Sequence, residues 1–89
     1  MPSQVATIKN VLGLHLRAAS KLVKLAHEYN SEIYLQKDEI KANGKSMLGI
    51  VTLGAVRGST LEIITEGPDA QALLDAVVGL IERNFDEEV

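Results

Sequence analysis

The chain contains neither cysteine nor tryptophan among its 89 residues. Without cysteine there are no disulfides and no thiolate metal sites, which fits a reducing compartment. Tyr29, Tyr34 and Phe85 are its aromatic residues, and the net charge is −3. A nucleic-acid surface needs a basic stripe with stacking platforms, so that partner is not expected. No apolar run approaches the roughly 20 residues needed to span a bilayer. The opening Met1-Pro2-Ser3-Gln4 has neither the basic nor the apolar region of a signal peptide, so a cytoplasmic location with no membrane insertion is expected. Independent catalysis also lacks its materials: there is no paired-carboxylate site, metal constellation, Ser/His/Asp set or P-loop. Gly13, Gly44 and Gly49 are not spaced as a nucleotide-binding loop. No cofactor, no metal and no turnover of its own are expected.

What is present suits one small domain over residues 1–89, with 46% apolar residues to build a core. Charge is distributed unevenly. Residues 1–27 carry Lys9, Arg17, Lys21 and Lys24 and no acid. Residues 61–89 carry Glu62, Glu66, Asp69, Asp75, Glu82, Asp86, Glu87 and Glu88 against Arg83 alone. Two solvated helix faces would account for this. So would a basic end that steers toward an anion or an acidic partner, in a bipolar molecule whose halves face apart.

Periodicity gives the element order β-α-β-β-α-β-α. Gln4 to Lys9 is a short β-prone run, followed by a loop punctuated by Gly13. Ala19, Leu22, Val23 and Ala26 recur at helical spacing between Leu16 and about His27. Glu32 to Gln36 alternates, with Ile33 and Leu35 opposite Tyr34, and Ile40-Lys41-Ala42 follows a turn at Lys37-Asp38-Glu39, as in a hairpin. Asn43-Gly44 is a turn signal, and Ser46 is a good cap for a short helix over Met47 to Leu53. Thr60 to Glu66 reads as a strand with Leu61 and Ile63 inward and Glu62, Ile64 and Thr65 on the other side. Pro68 near the first helical position and Asp69 in the first turn favour a last helix, along which Leu74, Val77, Ile81 and Phe85 follow at helical spacing. The acidic Asp86-Glu87-Glu88 tail is expected to fray. The fold class is α+β, with helices over one face of an antiparallel sheet. A ferredoxin-like split βαβ is the competing topology.

The chemistry concentrates in Gly13-Leu14-His15-Leu16-Arg17-Ala18-Ala19, where a glycine-led loop turns into a helix. A helix start offers unpaired N–H groups and the positive end of the macrodipole. No acid lies near it in sequence, and Arg17 is unfavourable there unless an anion is present. His15 is a nucleophile that works near neutral pH. Together these suit a phosphoryl group held on an imidazole at a helix N-terminus. Taken alone, the same residues also fit a capping histidine and a solvated arginine. His27, near the helix C-terminus where a cation is welcome, reads as structural.

The chain resembles HPr, the histidine-containing phosphocarrier family of the bacterial phosphoenolpyruvate-dependent phosphotransferase system. Gly13-Leu14-His15-Leu16-Arg17-Ala18-Ala19 is similar to the family's Gly-Leu-His-Ala-Arg-Pro-Ala, and Asn43-Gly44-Lys45-Ser46-Met47-Leu48-Gly49-Ile50 to its regulatory serine segment, at the right separation. The resemblance covers essentially the whole chain. It implies an open-faced β-sandwich, a four-stranded antiparallel sheet covered by three helices, in a protein expected to be a monomer. It implies that His15 accepts a phosphoryl group on Nδ1 from phosphorylated enzyme I and passes it to enzyme IIA domains, as a stoichiometric carrier. The amides of Leu16 and Arg17 and the Arg17 guanidinium would hold the phosphate.

Ser46 would be the target of an HPr kinase/phosphorylase, its phosphate repelling an acidic surface on enzyme I. Leu16, Met47, Leu48 and Val51 would form an apolar docking patch ringed by Arg17, Lys21, Lys24, Lys45 and Lys41. Leu16 and Ala18 stand where the family usually has Ala and Pro. That departure leaves room for an HPr-like regulatory protein of a nitrogen-related or incomplete phosphotransferase branch. An unrelated ferredoxin-like sensor would instead be indifferent to His15→Ala.

Overall fold

The computed structural model describes residues 1–87. Four strands, β1 (Ser3–Thr7), β2 (Glu32–Lys37), β3 (Ile40–Asn43) and β4 (Thr60–Glu66), form one antiparallel sheet in the order β1-β4-β2-β3. Three helices, α1 (Leu16–Ala26), α2 (Met47–Thr52) and α3 (Ala70–Glu82), lie in the expected sequence among them, so the β-α-β-β-α-β-α reading holds. The split βαβ alternative shares the first six of these elements and falls on the pairing instead, because β1 is an edge strand and β4 lies between it and β2. Pairing is in register across the sheet: Leu35 faces Ala42 on one side and Ile63 on the other.

Period two decides which side chains enter the core. Ile33 and Leu35 of β2 and Leu61 and Ile63 of β4 point inward and are fully buried. Ala19, Leu22 and Ala26 of α1, Ile50 of α2, and Leu73, Val77 and Ile81 of α3 cover them. The small Ala18, Ala19 and Ala26 bring the α1 backbone close to this layer. The opposite sheet face, carrying Val5, Tyr34, Lys41 and Glu62, has no helix over it among the described residues.

Several expectations need correction. β1 ends at Thr7, two residues early, and Ile8 instead donates its N–H to Ser59 across a loop. Thr65 points into the core rather than out; it is buried because its hydroxyl donates to the Ala70 carbonyl at 2.8 Å. α3 stops at Glu82 and does not continue to Phe85. Asp69 sits at the N-cap position but makes no side-chain cap bond; it serves Ser31 and Asn30 instead.

The largest difference concerns the C-terminal tail. Asn84, Phe85 and Asp86 form a short 3-10 turn with φ of 57, 57 and 60°, a left-handed run that reverses the chain. Phe85 is fully buried, and its place in the core holds these three residues in a conformation that costs a non-glycine residue roughly 1–2 kcal/mol. Asp86 and Glu87 are therefore ordered rather than frayed, while Glu88 lies outside the described residues. The turn carries Glu87 back to His15 at the start of α1, so this one acid of the C-terminal end meets the basic end.

Candidate functional site

Gly13 sets the position of the histidine. Its φ is 69°, and a Cβ there would lie 2.7 Å from the Ala55 carbonyl oxygen. Glycine thus lets the loop run against the segment after α2, where Leu14 N–H donates to that same carbonyl at 2.9 Å. Leu14 is buried and fixes the chain just before His15.

His15 is the N-cap residue of α1. Its Nδ1 accepts from the Arg17 backbone N–H at 3.3 Å, and its Nε2 lies 2.7 Å from Glu87 Oε2. An ionised carboxylate only accepts, so Nε2 carries the proton and Nδ1 keeps its lone pair. The Nδ1 atom therefore points at the N-terminus of α1, where no acid occupies the first turn.

Glu87 was not anticipated from the sequence. Its Oε1 accepts from Asn10 Nδ2 at 2.8 Å, and the same Asn10 amide donates to the Gly13 carbonyl at 2.7 Å. Burial works to raise the Glu87 carboxyl, but the hydrogen bonds from His15 and Asn10, helped by the nearby Lys21 charge, outweigh it. The net effect holds Glu87 below the ordinary carboxylate range. Lys21 Nζ donates to the Phe85 carbonyl at 2.6 Å and pins the turn that delivers Glu87. The one available signal was indirect: a helix start without an acid, in a chain whose acids gather at its other end.

An open groove of about 760 Å³ runs beside the histidine. Six of the eleven residues expected at the site line it, His15, Leu16, Arg17, Lys21, Lys24 and Met47, together with Leu12 and Ser20. Leu16 is 65% exposed and Leu48 75%. Among the described residues, the Arg17 guanidinium has no carboxylate within ion-pair distance.

The remaining expected residues lie on or before α2, outside the groove lining. Ser46 caps α2, its Oγ accepting from Gly49 N–H at 3.1 Å. Val51 is exposed on the same helix. Lys45 Nζ donates to the Tyr29 carbonyl at 2.9 Å, so that cation is tied to the scaffold. Lys41 sits 4.8 Å over the Tyr34 ring on the uncovered sheet face and does not join the basic ring around His15. His27 Nε2 lies 3.2 Å from the Lys45 carbonyl, in keeping with a structural role.

Among the described residues, no group of three or more His, Cys, Asp or Glu is placed to hold a metal ion. No described helix is long and apolar enough to cross a membrane.

The sequence and the fold both have known counterparts. A family model described as "PTS HPr component phosphorylation site" matches residues 2–83. A phosphocarrier protein NPr of Shewanella violacea is 46% identical over 81 residues, covering 91% of this chain and 89% of its own. A phosphocarrier protein HPr of Treponema pallidum is 38% identical over 88 residues, covering 99% of this chain and all of its own. The crystal structure of an HPr from Thermoanaerobacter tengcongensis superposes with a TM-score of 0.96, at 39% identity and over the full length of both chains.

Proposed function

Because the chain belongs to the HPr family of phosphocarrier proteins of the phosphotransferase system, we propose that His15 Nδ1 is its phosphoacceptor. The observation that carries this reading is the orientation of the ring: Nδ1 is directed at the N–H of Arg17 and at the open end of α1. The donor is phosphorylated enzyme I and the recipient an enzyme IIA domain, with the protein acting as a cytoplasmic, stoichiometric carrier rather than an enzyme.

Phosphoryl transfer asks for in-line positioning and charge stabilisation. The Nδ1 lone pair supplies the attack. The Leu16 and Arg17 amides receive the phosphoryl oxygens at the positive end of the helix, and the Arg17 guanidinium pairs with them. Phosphate on Nδ1 takes over the Arg17 N–H that the bare ring now uses. Leu16, Met47, Leu48 and Val51 provide apolar contact for the partner, with Lys21, Lys24 and Lys45 around it. Ser46 is the regulatory phosphosite, where added charge opposes docking with little effect on the fold.

The test is transfer from phosphoenolpyruvate through enzyme I, read by intact mass. A single acid-labile, alkali-stable phosphate is expected, absent in His15→Ala and slowed about 10- to 100-fold in Arg17→Ala, the factor of a lost charge-assisted hydrogen bond. A folded wild type that takes no phosphate from an enzyme I active on another HPr would refute the reading.

A second reading keeps the chemistry and changes the client to a regulatory, nitrogen-related or incomplete branch. It is favoured by Leu16 and Ala18 in place of the family's usual Ala and Pro, and by the 46% identity to a protein named NPr. Competition between the phosphoryl donors of the two branches separates them: the cognate donor loads His15 faster at equal concentration.

A further inference from the structure

His15 is held from two sides, and only one of them belongs to its own helix. Arg17 N–H meets Nδ1, while Glu87, 72 positions later, meets Nε2. Glu87 is itself constrained. Its second oxygen takes the amide of Asn10, a residue that is fully buried, and its side chain is only 13% exposed. Phe85, buried two residues earlier, and the Lys21–Phe85 bond fix the backbone that carries it. A carboxylate placed by a buried amide, a rigid turn and a lysine is positioned for its contact with the ring rather than left to solvent.

We infer that Glu87, oriented by Asn10, is the positioning residue of the carrier histidine: it selects the tautomer that frees Nδ1 and stabilises the cationic ring that exists while the phosphoryl group is on it. This rests on the phosphocarrier reading of His15.

The balance of the step shows why a carboxylate belongs at Nε2. As the Nδ1 lone pair forms the N–P bond, the bond between phosphorus and the donor breaks and its electron pair returns to the donor. The ring keeps its Nε2 proton and becomes an imidazolium bearing phosphate on Nδ1. Glu87 faces the positive charge that has just developed and retains the proton by a charge-assisted hydrogen bond. In the handover the N–P electron pair returns to Nδ1, and the ring leaves as neutral imidazole, still protonated at Nε2. Neither direction requires a proton from solvent. A ring that lost the Nε2 proton would be a poorer leaving group, so Glu87 keeps the phosphoryl group transferable.

The experiment compares wild type, Glu87→Ala, Glu87→Gln and Asn10→Ala. The first readout is the tautomer of the unphosphorylated ring from the ¹⁵N shifts of His15, which requires no partner protein. Wild type and Glu87→Gln should show mainly the Nε2–H form, since the amide oxygen accepts the same bond. Glu87→Ala should show a mixture. Asn10→Ala should shift in the same direction as Glu87→Ala, to a smaller degree.

The second readout is loading by enzyme I and the lifetime of the phosphohistidine at neutral pH. Loss of the charge in Glu87→Gln should slow loading about three- to tenfold and lengthen the lifetime, as expected when a partly exposed charge-assisted bond strengthens with developing charge. Glu87→Asp should recover part of the loss. Wild-type tautomer populations in Glu87→Ala, or a wild-type loading rate and lifetime in both Glu87→Ala and Glu87→Gln, would overturn the inference. A wild type that is never loaded would overturn the carrier reading instead, while the tautomer measurement would still judge Glu87.

Discussion

Asp69 and Ser31 hydrogen-bond to each other in both directions. Ser31 Oγ donates to Asp69 Oδ1 at 2.5 Å, and the Asp69 backbone N–H donates to the same Oγ at 3.0 Å. Asp69 also accepts from the backbone N–H groups of Ser31 and Asn30, at 2.9 and 3.0 Å. The loop after α1 is thereby clipped to the start of α3. Gly67 belongs to the same clasp, since a Cβ there would lie 2.6 Å from Ser31 Oγ.

This clasp predicts acid sensitivity. The Ser31 hydroxyl, then the Asn30 amide, hold the Asp69 carboxyl below its ordinary 3.8, against a smaller opposing effect of burial. A depressed carboxylate contributes stability that is complete above its unfolded value and is lost as pH falls through the folded one. Asp69→Asn should lower the urea midpoint at neutral pH, and the gap to wild type should close as pH falls below about 3.8. A gap that stayed constant down to strongly acid pH would show that the charge is not what the clasp uses.

Phe85→Ala should cost about 3–5 kcal/mol in urea unfolding, the usual range for emptying a fully buried aromatic site. It should also release the 84–86 turn, so the ¹⁵N tautomer signature of His15 should move toward that of Glu87→Ala. A destabilised protein with an unchanged ring would separate core packing from the site.

Gly13→Ala should cost about 1–3 kcal/mol, because it puts a Cβ on a residue at φ 69° and 2.7 Å from a backbone oxygen. The loop must retreat from Ala55, carrying His15 with it. Thermal unfolding and the loading rate should fall together.

Ser46→Ala should cost about 1 kcal/mol through loss of the bond to Gly49 N–H. Ser46→Asp keeps a capping oxygen, so its unfolding midpoint should stay nearer wild type while loading by enzyme I slows. Unchanged loading by both Ser46→Asp and the phosphorylated protein would remove the regulatory role assigned to Ser46.

Local rules were enough for much of this molecule. The 3.6-residue period from Leu16 to Ala26 and the glycine before it placed His15 at a helix start, and the alternation over Thr60–Glu66 located β4 to the residue. Thr65 misled because a threonine looks polar until its hydroxyl finds the Ala70 carbonyl. Phe85 misled because its spacing from Ile81 fits a continuing helix, whereas core burial selects a left-handed turn. The second half of the site, Asn10 and Glu87, arises from closure between distant segments, and no short-range period records that. The lysines divided on the same ground: Lys24 stayed at the groove, while Lys45 found a backbone carbonyl and Lys41 a tyrosine ring.

The uncovered face of the sheet bears on how the protein behaves in concentrated solution. An antiparallel sheet commonly keeps one face in water, while β1 and β3 are open edges that offer unpaired backbone groups to another chain. On this face Glu62 stands between Val5 and Gln36, and Gln36 pairs with Lys41. Glu32 and Glu66 face each other directly across β2 and β4, a like-charge pair that weakens the local pairing. A second sheet laid against this one would have to strip water from those carboxylates, so the same residues that cost the fold a little stability act as gatekeepers against face-to-face aggregation.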